Sequence, residues 1–297
     1  MTSAPLYLGI DGGATHCRAR LRDGEGELLA EALGAAANIH VDFAAAVAAM
    51  HVVVDEVLAK AGLGDVHRGT TAIGLGLAGF KQGSDATRVA GAFPGFRLVC
   101  AANDATTACI GAHAGADGGL IIAGTGSAAI ARVRGKETII GGRGFALGDD
   151  GSGSHIGLEA LRSAMRAFDG LAPASALTDD VLAEFGGDPV AMMNLALQAK
   201  PGDFGAFAPR VLQHAAEHDP IATAIALKAA RAIGALTRGV VALGAERVAL
   251  VGGVGEALRP YFEPDTAARL SPPLYDPTDG AILFVGGIIA PQRRAAQ

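Results

Sequence analysis

Two stretches of this 297-residue chain repeat one order of elements: LYLGIDGGATHCRARLRDG at Leu6–Gly24 and LIIAGTGSAAIARVRGK at Leu120–Lys136. Each begins with an apolar run, passes through a Gly/Thr turn, continues as a second strand and ends in a polar turn. An apolar run that ends at glycines is typical of a buried strand followed by a tight turn. The repeat therefore predicts two related α/β halves, each of which opens with a β-hairpin whose turn faces a ligand.

The rest of the chain alternates between helical and strand-like patterns. Helices are predicted at 43–61 and 105–113, strands at 71–77, 96–101 and 247–251, and a mostly helical segment from 151 to 244. Asp276-Pro277-Thr278-Asp279 has the residues of a turn. The apolar segment after it fits a strand or a helix equally well, because periodicity alone does not separate them.

Composition favours a soluble helix-and-sheet enzyme. Half of the residues are hydrophobic and 18% are charged, which excludes a disordered chain. The net charge of −6 argues against a nucleic-acid-binding surface, since such a surface needs a basic excess. The N-terminus has no basic targeting segment, and the apolar run at 281–290 is about half of the ~20 residues that a membrane span needs. Three scattered cysteines fit a reducing compartment, so we expect a cytoplasmic protein without nucleic-acid or membrane partners.

Two glycine-rich turns are candidate phosphate-binding sites. Asp11-Gly12-Gly13-Ala14-Thr15 and Ala123-Gly124-Thr125-Gly126-Ser127 occupy corresponding places in the repeat. Glycines let backbone N–H groups approach a phosphate closely, and a threonine hydroxyl can donate to it. A carboxylate such as Asp11 can hold Mg²⁺ through water. Either turn alone could be an ordinary hairpin turn, whereas the two together could clamp a polyphosphate from both sides.

Three further segments carry groups that chemistry could use. Asn103-Asp104 follows an apolar strand, and the carboxyl ends of strands are where α/β sheets place reactive groups. Asp104 could accept the proton of an attacking hydroxyl; the alternative is a simple helix cap. The Gly/Asp-rich segment 141–154 indicates a ligand, with Asp149 able to bind hydroxyls or organise Mg²⁺, or else a surface loop that caps a helix. Gly252-Gly253 could let a flat group such as adenine lie against the backbone.

Two motifs are predicted to be coincidental. The segment Gly74–Gly79 spells G-x-G-x-x-G, but the dinucleotide fingerprint needs a helix that starts inside it, and the next helix pattern begins near Ser84. The segment His214–His218 spells H-x-x-E-H, the inverted zinc-protease motif, but no carboxylate stands at a suitable place on a second helix. We therefore predict neither a nicotinamide site nor a zinc site.

The motifs D-G-G-x-T, N-D, A-G-T-G-S, G-D-D-G-S and V-G-G-V, in this order, resemble those of the sugar kinase/Hsp70/actin superfamily. From Leu6 to about Ala290 the chain is most similar to BadF/BadG/BcrA/BcrD-type ATPases, and within them to N-acetylglucosamine kinases. Gly141–Ser152 is the most specific part. The resemblance implies two actin-like (ribonuclease H-like) α/β domains around an ATP–Mg²⁺ cleft. It implies an N-terminal domain at 1–102, a C-terminal domain at 103–279 and a helix at about 280–297 that returns to the first domain.

The resemblance also implies roles for individual residues. Those that would contact ATP are Asp11, Gly12, Gly13, Thr15, Gly124, Thr125, Gly126, Ser127, Gly252 and Gly253, with Asp11 as the Mg²⁺ ligand. Those that would contact the sugar are Asn38, Asn103, Asp104, Gly142, Arg143 and Asp149, with Asp104 as the catalytic base. Two positions depart from the amino-sugar kinases: Arg143 stands where an aromatic residue is common, and Ala78 stands where a serine contacts the sugar.

The implied activity is ATP-dependent phosphorylation of an amino sugar, with N-acetylglucosamine converted to its 6-phosphate as the first expectation. A cation at Arg143 would repel the ammonium of glucosamine and tolerate a neutral acetamide. A glucosamine kinase and a non-catalytic regulatory ATP-binding protein are the alternatives. The family also contains iron–sulfur activators, but Cys17, Cys100 and Cys109 lack the glycine-rich surroundings of cluster ligands. The expected partners are the sugar and, as an option, a second copy of the chain.

Overall fold

The computed structural model describes residues 4–13, 15–81 and 83–290. These residues form ten strands and twelve α-helices, which fall into two compact units. Unit 1 contains the described residues up to Asp117 and from Pro273 onward, and unit 2 is Gly118–Pro272. Ala14 of the first glycine turn and residues 291–297 of the expected C-terminal helix lie outside the described residues.

The elements follow the predicted alternation closely. The strands are β1 (Leu6–Gly12), β2 (His16–Arg22), β3 (Leu28–Ala35), β4 (Thr71–Leu77), β5 (Leu98–Asn103), β6 (Gly118–Ala123), β7 (Ser127–Val133), β8 (Lys136–Gly141), β9 (Val248–Val251) and β10 (Leu270–Ser271). The helices are α1 (Phe43–Lys60), α2 (Ser84–Ala92), α3 (Asp104–Ala112), α4 (Gly153–Phe168), α5 (Ala176–Glu184), α6 (Pro189–Gln198), α7 (Pro201–Gly205), α8 (Ala208–Ala216), α9 (Pro220–Ala242), α10 (Gly253–Ala257), α11 (Pro264–Ala267) and α12 (Pro277–Phe284).

Each unit is built on one five-stranded sheet, and the two sheets have the same topology. In unit 1 the strand order is β3-β2-β1-β4-β5, with antiparallel pairing up to β1 and parallel pairing beyond it. In unit 2 the order is β8-β7-β6-β9-β10, with the same change from antiparallel to parallel at the third strand. The predicted repeat is therefore present as a repeated sheet, which confirms the expected α/β fold class.

Apolar helix faces cover each sheet. In unit 1, α1 begins at the cap Asp42, whose side chain accepts from Ala45 N, and it buries Met50 and Val53 in that unit's core. In unit 2, α9 is long and apolar enough, by length and composition, to cross a membrane. However, Ile233 and other residues of α9 are buried in the core of unit 2. About 44% of its most apolar 18-residue stretch is buried, as in a helix that packs one face on a core.

The segment predicted as a turn at 276–279 is the start of α12 instead. Asp276 is the N-cap of this helix and accepts from the Asp279 N–H at 2.9 Å, and Pro277 occupies the first helical position. A capping Asp followed by Pro begins helices as readily as it makes turns, because the first helical residues need no N–H partner within the helix. The helix ends at Phe284, so it spans less than the expected 280–297.

Glycines let α12 and α3 lie directly on the sheet of unit 1. A Cβ at Gly74 would lie 2.0 Å from the carbonyl oxygen of Ala281, and a Cβ at Gly76 would lie 1.9 Å from Thr107 Oγ1. These are the first two glycines of the coincidental G-x-G-x-x-G motif, and they serve helix packing. Because α3 packs on α12, it belongs to unit 1. The expected boundary at 102/103 thus differs from the compact units, which divide at 117/118.

A buried group of ion pairs fastens α12 to β2. Arg22 forms two hydrogen bonds with the Asp279 carboxylate, at 2.9 and 3.1 Å. Arg20 forms two with Asp276, at 2.9 and 2.7 Å, and also pairs with Asp279 at 2.8 Å. The side chains of Arg22 and Asp279 are 9% and 6% exposed, so each charge is stabilised mainly by its partner and hardly by water.

Candidate active site

Two carboxylates lie at the same edge of the sheet of unit 1. Asp11 is the penultimate residue of β1, and Asp104 follows the last residue of β5, with β4 between these strands and parallel to both. Carboxyl ends of parallel strands share one sheet edge, which is where α/β proteins place ligands. The expected strand-to-helix junction at Asn103-Asp104 is confirmed. Its cap is Asn103, whose Oδ1 accepts from Ala105 N at 3.0 Å.

Burial makes both carboxylates hard to ionise. Burial first, then the charges of Asp104 and Asp276, together raise the pKa of Asp11 from 3.8 to about 6, against the opposing effect of Arg18. Burial also raises the pKa of Asp104, although Ala105 N–H donates to its Oδ1 at 2.9 Å. Two carboxylates that repel each other in a partly buried place suit a divalent cation or a proton transfer.

The donor set fits Mg²⁺ held mainly through water and phosphate. Within residues 4–13, 15–81 and 83–290, no group of three or more His, Cys, Asp or Glu side chains forms a metal cage. Mg²⁺ commonly takes only one or two protein carboxylates and completes its shell with water and substrate phosphates. Asp11 alone is sufficient for that arrangement.

Without ligands, Asp11 should make the protein less stable as the pH rises toward neutrality. The folded-state pKa is raised from 3.8 to about 6, so stability from the protonated carboxyl is full below 3.8 and is lost as the pH rises through 6. Asp11→Asn keeps a neutral side chain, so its melting temperature should vary less over this window and exceed that of the wild type at neutral pH. Thermal unfolding across a pH series, without nucleotide or metal, measures this.

Asp65→Asn is a suitable control for that series, because the Asp65 side chain is 87% exposed. It should keep the slope of the wild type. An Asp11→Asn protein with the same pH dependence as the wild type would show that Asp11 is not the group responsible.

Asn38 and Ala78 lie beside the first glycine turn. The turn is closed by a hydrogen bond from Gly13 N to His16 O at 2.9 Å, and Ala78 N donates to Gly12 O at 2.8 Å. The Asn38 Oδ1 accepts from His40 N at 3.0 Å. Ala37 N donates to Gly13 O at 3.0 Å, so the neighbouring Asn38, which is expected to contact the sugar, lies at the sheet edge that carries Asp11.

In unit 2, the second glycine turn lies against the start of α4. Gly153 N donates to Gly124 O at 2.8 Å, and Ser154 N donates to Thr125 O at 3.1 Å. A Cβ at Gly126 would lie 3.1 Å from an oxygen of Asp149. The Asp149 carboxylate therefore lies beside the turn that is expected to bind phosphate.

Gly252 and Gly253 lie next to the same turn. Gly252 has a φ of 101°, and a Cβ there would lie 2.2 Å from Ala123 O, so this position requires glycine. Gly253 begins α10 directly after it. Unit 2 therefore brings the expected adenosine segment to the end of β6, beside Gly124–Ser127.

The loop between β8 and α4 carries the other expected sugar contacts. Gly142 packs on Ala128, since a Cβ at Gly142 would lie 2.9 Å from the Ala128 Cβ. Arg143 is exposed, and within the described residues no carboxylate pairs with it. Asp149 has a φ of 61°, in the left-handed region that non-glycine residues seldom adopt. Arg143 is therefore a cation available to a ligand.

One residue of this site, His155, was not predicted from the sequence. Its Nε2 lies 2.8 Å from Phe145 O, and its Nδ1 lies 3.2 Å from Asp150 Oδ1. The only feature of the sequence that could have drawn attention to His155 is that it stands three residues after Ser152, the N-cap of α4. Nothing in the sequence shows that the loop folds back onto it.

In the part of the chain that the structure describes, the H-x-x-E-H segment and the cysteines do not have the arrangement of a metal or cluster site. Helix α8 ends at Ala216, and His218 lies beyond it with a φ of 66°, so the H-x-x-E-H residues do not share one helix face. Burial and the charge of Asp11 raise the pKa of Cys17 to about 12, which disfavours the thiolate that a cluster ligand needs. Cys100 also has a pKa raised by burial, and Cys109 is buried.

Comparison with known proteins identifies the family. The model of the BadF/BadG/BcrA/BcrD ATPase family matches residues 8–285. The chain belongs to this family, as its motifs predicted.

Similar proteins include two that are named as amino-sugar kinases. The chain is 33% identical to the glucosamine kinase GspK of Vibrio cholerae over 94% of this chain and 95% of that protein. A Chromobacterium violaceum structure, assigned as an N-acetylglucosamine kinase, has 35% identity and a TM-score of 0.85, covering 95% of this chain and 99% of that one. A glucokinase of the ROK family from Streptomyces griseus, with 18% identity and a TM-score of 0.55 over 95% and 99% of the two chains, shares the fold.

Proposed function

We propose that the protein transfers the γ-phosphoryl group of ATP to a hydroxyl of an amino sugar. The main support for this proposal is the position of Asp104, whose half-buried carboxylate lies at the sheet edge beside Asp11. It stands in a chain that is similar over almost its whole length to a glucosamine kinase. Phosphoryl transfer needs little covalent chemistry from a protein, so positioning and charge neutralisation are its main contributions.

Asp104 would orient the sugar hydroxyl and accept its proton as the hydroxyl attacks phosphorus. Asp11 would hold Mg²⁺ through water, and the ion would neutralise charge on the phosphates. Backbone N–H groups of the two glycine turns would donate to phosphate oxygens, with Thr15 and Thr125 adding hydroxyl donors. Gly252 and Gly253 would leave room for adenine.

The sugar would be held by Asn38, Asn103, Gly142, Arg143 and Asp149 in addition to Asp104. Sites built to hydrogen-bond hydroxyls reject analogues that leave those partners unpaired. We propose N-acetylglucosamine, phosphorylated at the 6-position, as the preferred acceptor, because Arg143 is an exposed cation without an ion-pair partner in the described part of the chain. Glucosamine is the second candidate, and the similarity to GspK supports it.

The test is the kcat/KM for glucose, glucosamine, N-acetylglucosamine and N-acetylmannosamine, measured by ADP release, with NMR used to locate the phosphate. Activity on an amino sugar that needs Mg²⁺ supports the proposal. Inactivity on all four sugars, together with tight ATP binding, would favour the regulatory ATP-binding alternative.

Arg143→Gln should raise the kcat/KM for glucosamine relative to N-acetylglucosamine. A unit charge about 4 Å away is worth about 1 kcal/mol in water and more when partly buried, so a ratio change of about five- to tenfold is expected. Arg166→Gln, an exposed arginine of α4, is the matched control. An unchanged ratio would remove Arg143 from substrate selection and leave the kinase proposal intact.

We also propose a soluble, cytoplasmic protein, because three scattered cysteines fit a reducing compartment. Sugar and ATP–Mg²⁺ would be its ligands, without nucleic acid or membrane. A homodimer stays a prediction, and light scattering on the purified protein tests it.

A further inference from the structure

One side of the loop between β8 and α4 faces a cavity, so no side chains pack against the loop there. A cavity of about 370 Å³ lies there, bounded by the loop residues Gly148, Asp149 and Asp150 and by residues of α4 and α9. The loop itself turns through left-handed backbone at Gly141, Gly142, Gly144, Asp149 and Gly151. Glycine-rich backbone beside empty space has much conformational freedom to lose, so specific contacts must hold it.

His155 supplies two of those contacts, one to each arm of the loop. Its Nε2 lies 2.8 Å from Phe145 O, and its ring centroid lies 5.1 Å from that of Phe145. Its Nδ1 lies 3.2 Å from Asp150 Oδ1. A carbonyl and a carboxylate both accept, so the imidazole bridges them when both of its nitrogens carry hydrogen.

Each arm carries one residue that is expected to contact the sugar. Arg143 is two residues before Phe145, on the first arm. Asp149 is next to Asp150, and its carboxylate lies beside Gly126 of the glycine turn. Asp150 is held a second time, because Ser127 Oγ donates to its carbonyl oxygen at 2.8 Å. Because Asp150 is the next residue in the chain, these two contacts also hold the backbone of Asp149, which has a φ of 61°.

We propose that His155 is a positioning residue for sugar recognition: it holds the arm of Arg143 at a set distance from the arm of Asp149. The inference rests on the proposed kinase function. His155 touches no substrate in this assignment and acts through the loop. Phe204 stacks on Phe145 at 5.2 Å and steadies only the first arm. Within the loop, Gly148 N donates to Gly144 O at 2.8 Å, and the imidazole joins the two arms a second time, from α4.

Three variants separate the contacts. His155→Phe keeps a ring against Phe145 and removes both polar contacts. His155→Gln places an amide near the position of Nε2 and keeps the bond to Phe145 O, whereas His155→Asn places one near Nδ1 and keeps the contact with Asp150. His51→Phe is the matched control, since His51 also bonds a carbonyl, Ala92 O at 3.0 Å, and contacts a phenylalanine ring, but in unit 1.

For His155→Phe we expect the KM for the sugar to rise about fivefold, the usual effect of losing a part-buried hydrogen bond. The KM for ATP and the melting temperature should change little. Hydrogen exchange of peptides covering 141–152 should be faster, without ligands, than in the wild type. The Gln and Asn variants should each lie between the wild type and His155→Phe, and His51→Phe should match the wild type in sugar KM.

Other outcomes would overturn the inference. If His155→Phe kept the sugar KM and the exchange rate of the loop, the imidazole would not position it. If the KM for ATP rose as much as the KM for the sugar, His155 would support the fold of unit 2 in general. If His155→Phe did not fold while the Gln and Asn variants folded with wild-type sugar KM, the link would again be unnecessary. A wild-type protein inactive on every sugar would instead contradict the proposed function, and loop exchange would still report on His155.

Discussion

Asp104→Asn should lower kcat by about 10²–10⁴-fold, the usual contribution of a general base. The Kd values for sugar and ATP should change little, because Asn has nearly the same shape. The reason is that an amide cannot take the proton of the attacking hydroxyl, whereas the half-buried carboxylate can. Steady-state kinetics with N-acetylglucosamine, combined with calorimetry for both ligands, separates kcat from binding.

This substitution also decides between the base and the helix-cap interpretation of Asp104. Asn accepts a backbone N–H at a helix start about as well as Asp does, so a pure cap would tolerate the change. Asp85→Asn is the matched control, since Asp85 also lies in the first turn of a helix and accepts a backbone N–H, that of Lys81 at 2.7 Å. A kcat near that of the wild type in Asp104→Asn would reduce Asp104 to a structural residue.

Asp279→Ala should destabilise the protein by about 3–5 kcal/mol, the typical effect of leaving a buried charge without its partner. It removes the carboxylate that bonds Arg22 at two points and also pairs with Arg20. Both guanidinium groups belong to β2 and hold the start of α12. We therefore expect α12 to pack less firmly on the sheet when Asp279 is removed. Chemical denaturation followed by fluorescence or circular dichroism measures the change.

The exposed pair of Lys60 and Glu56 provides the control for Asp279. Its side chains are 51% and 42% exposed, and Glu56→Ala should cost about 1 kcal/mol or less. The double variant Arg22→Leu with Asp279→Leu should be less destabilised than Asp279→Ala, because apolar residues leave fewer uncompensated charges. Equal stability of Asp279→Ala and the wild type would contradict the role assigned to this ion-pair group.

Local patterning predicted most elements because a buried strand or an amphipathic helix has a periodicity that the sequence displays. The strand Thr71–Leu77 lies where it was predicted, and the helix predicted at 43–61 ends one residue earlier. The strand predicted at 96–101 lies at 98–103, a shift that the pairing with β4 determines and that no local signal reports. The helix start at Asp276-Pro277 was predicted as a turn, since the same residues favour both.

The candidate site could be predicted where its residues follow strands, and less well where it depends on a loop. Asp11 and Asp104 come together because parallel strands align their carboxyl ends. The contacts of His155 depend on how a glycine-rich loop folds back on α4. That conformation cannot be predicted from the composition of the loop. Likewise, Gly74 and Gly76 looked like part of a nucleotide motif, although neighbouring helices explain them.

The discontinuous composition of unit 1 has a consequence for its biosynthesis. The strands of unit 1 are synthesised before unit 2, but α12, the helix that covers β1 and β4, is synthesised only after it. Unit 2 is one uninterrupted segment and can fold on the ribosome while β1 and β4 are still uncovered. Premature termination near residue 272 would therefore release a complete unit 2 attached to an open sheet with exposed apolar surface. We expect such fragments to aggregate or to be degraded by quality-control proteases.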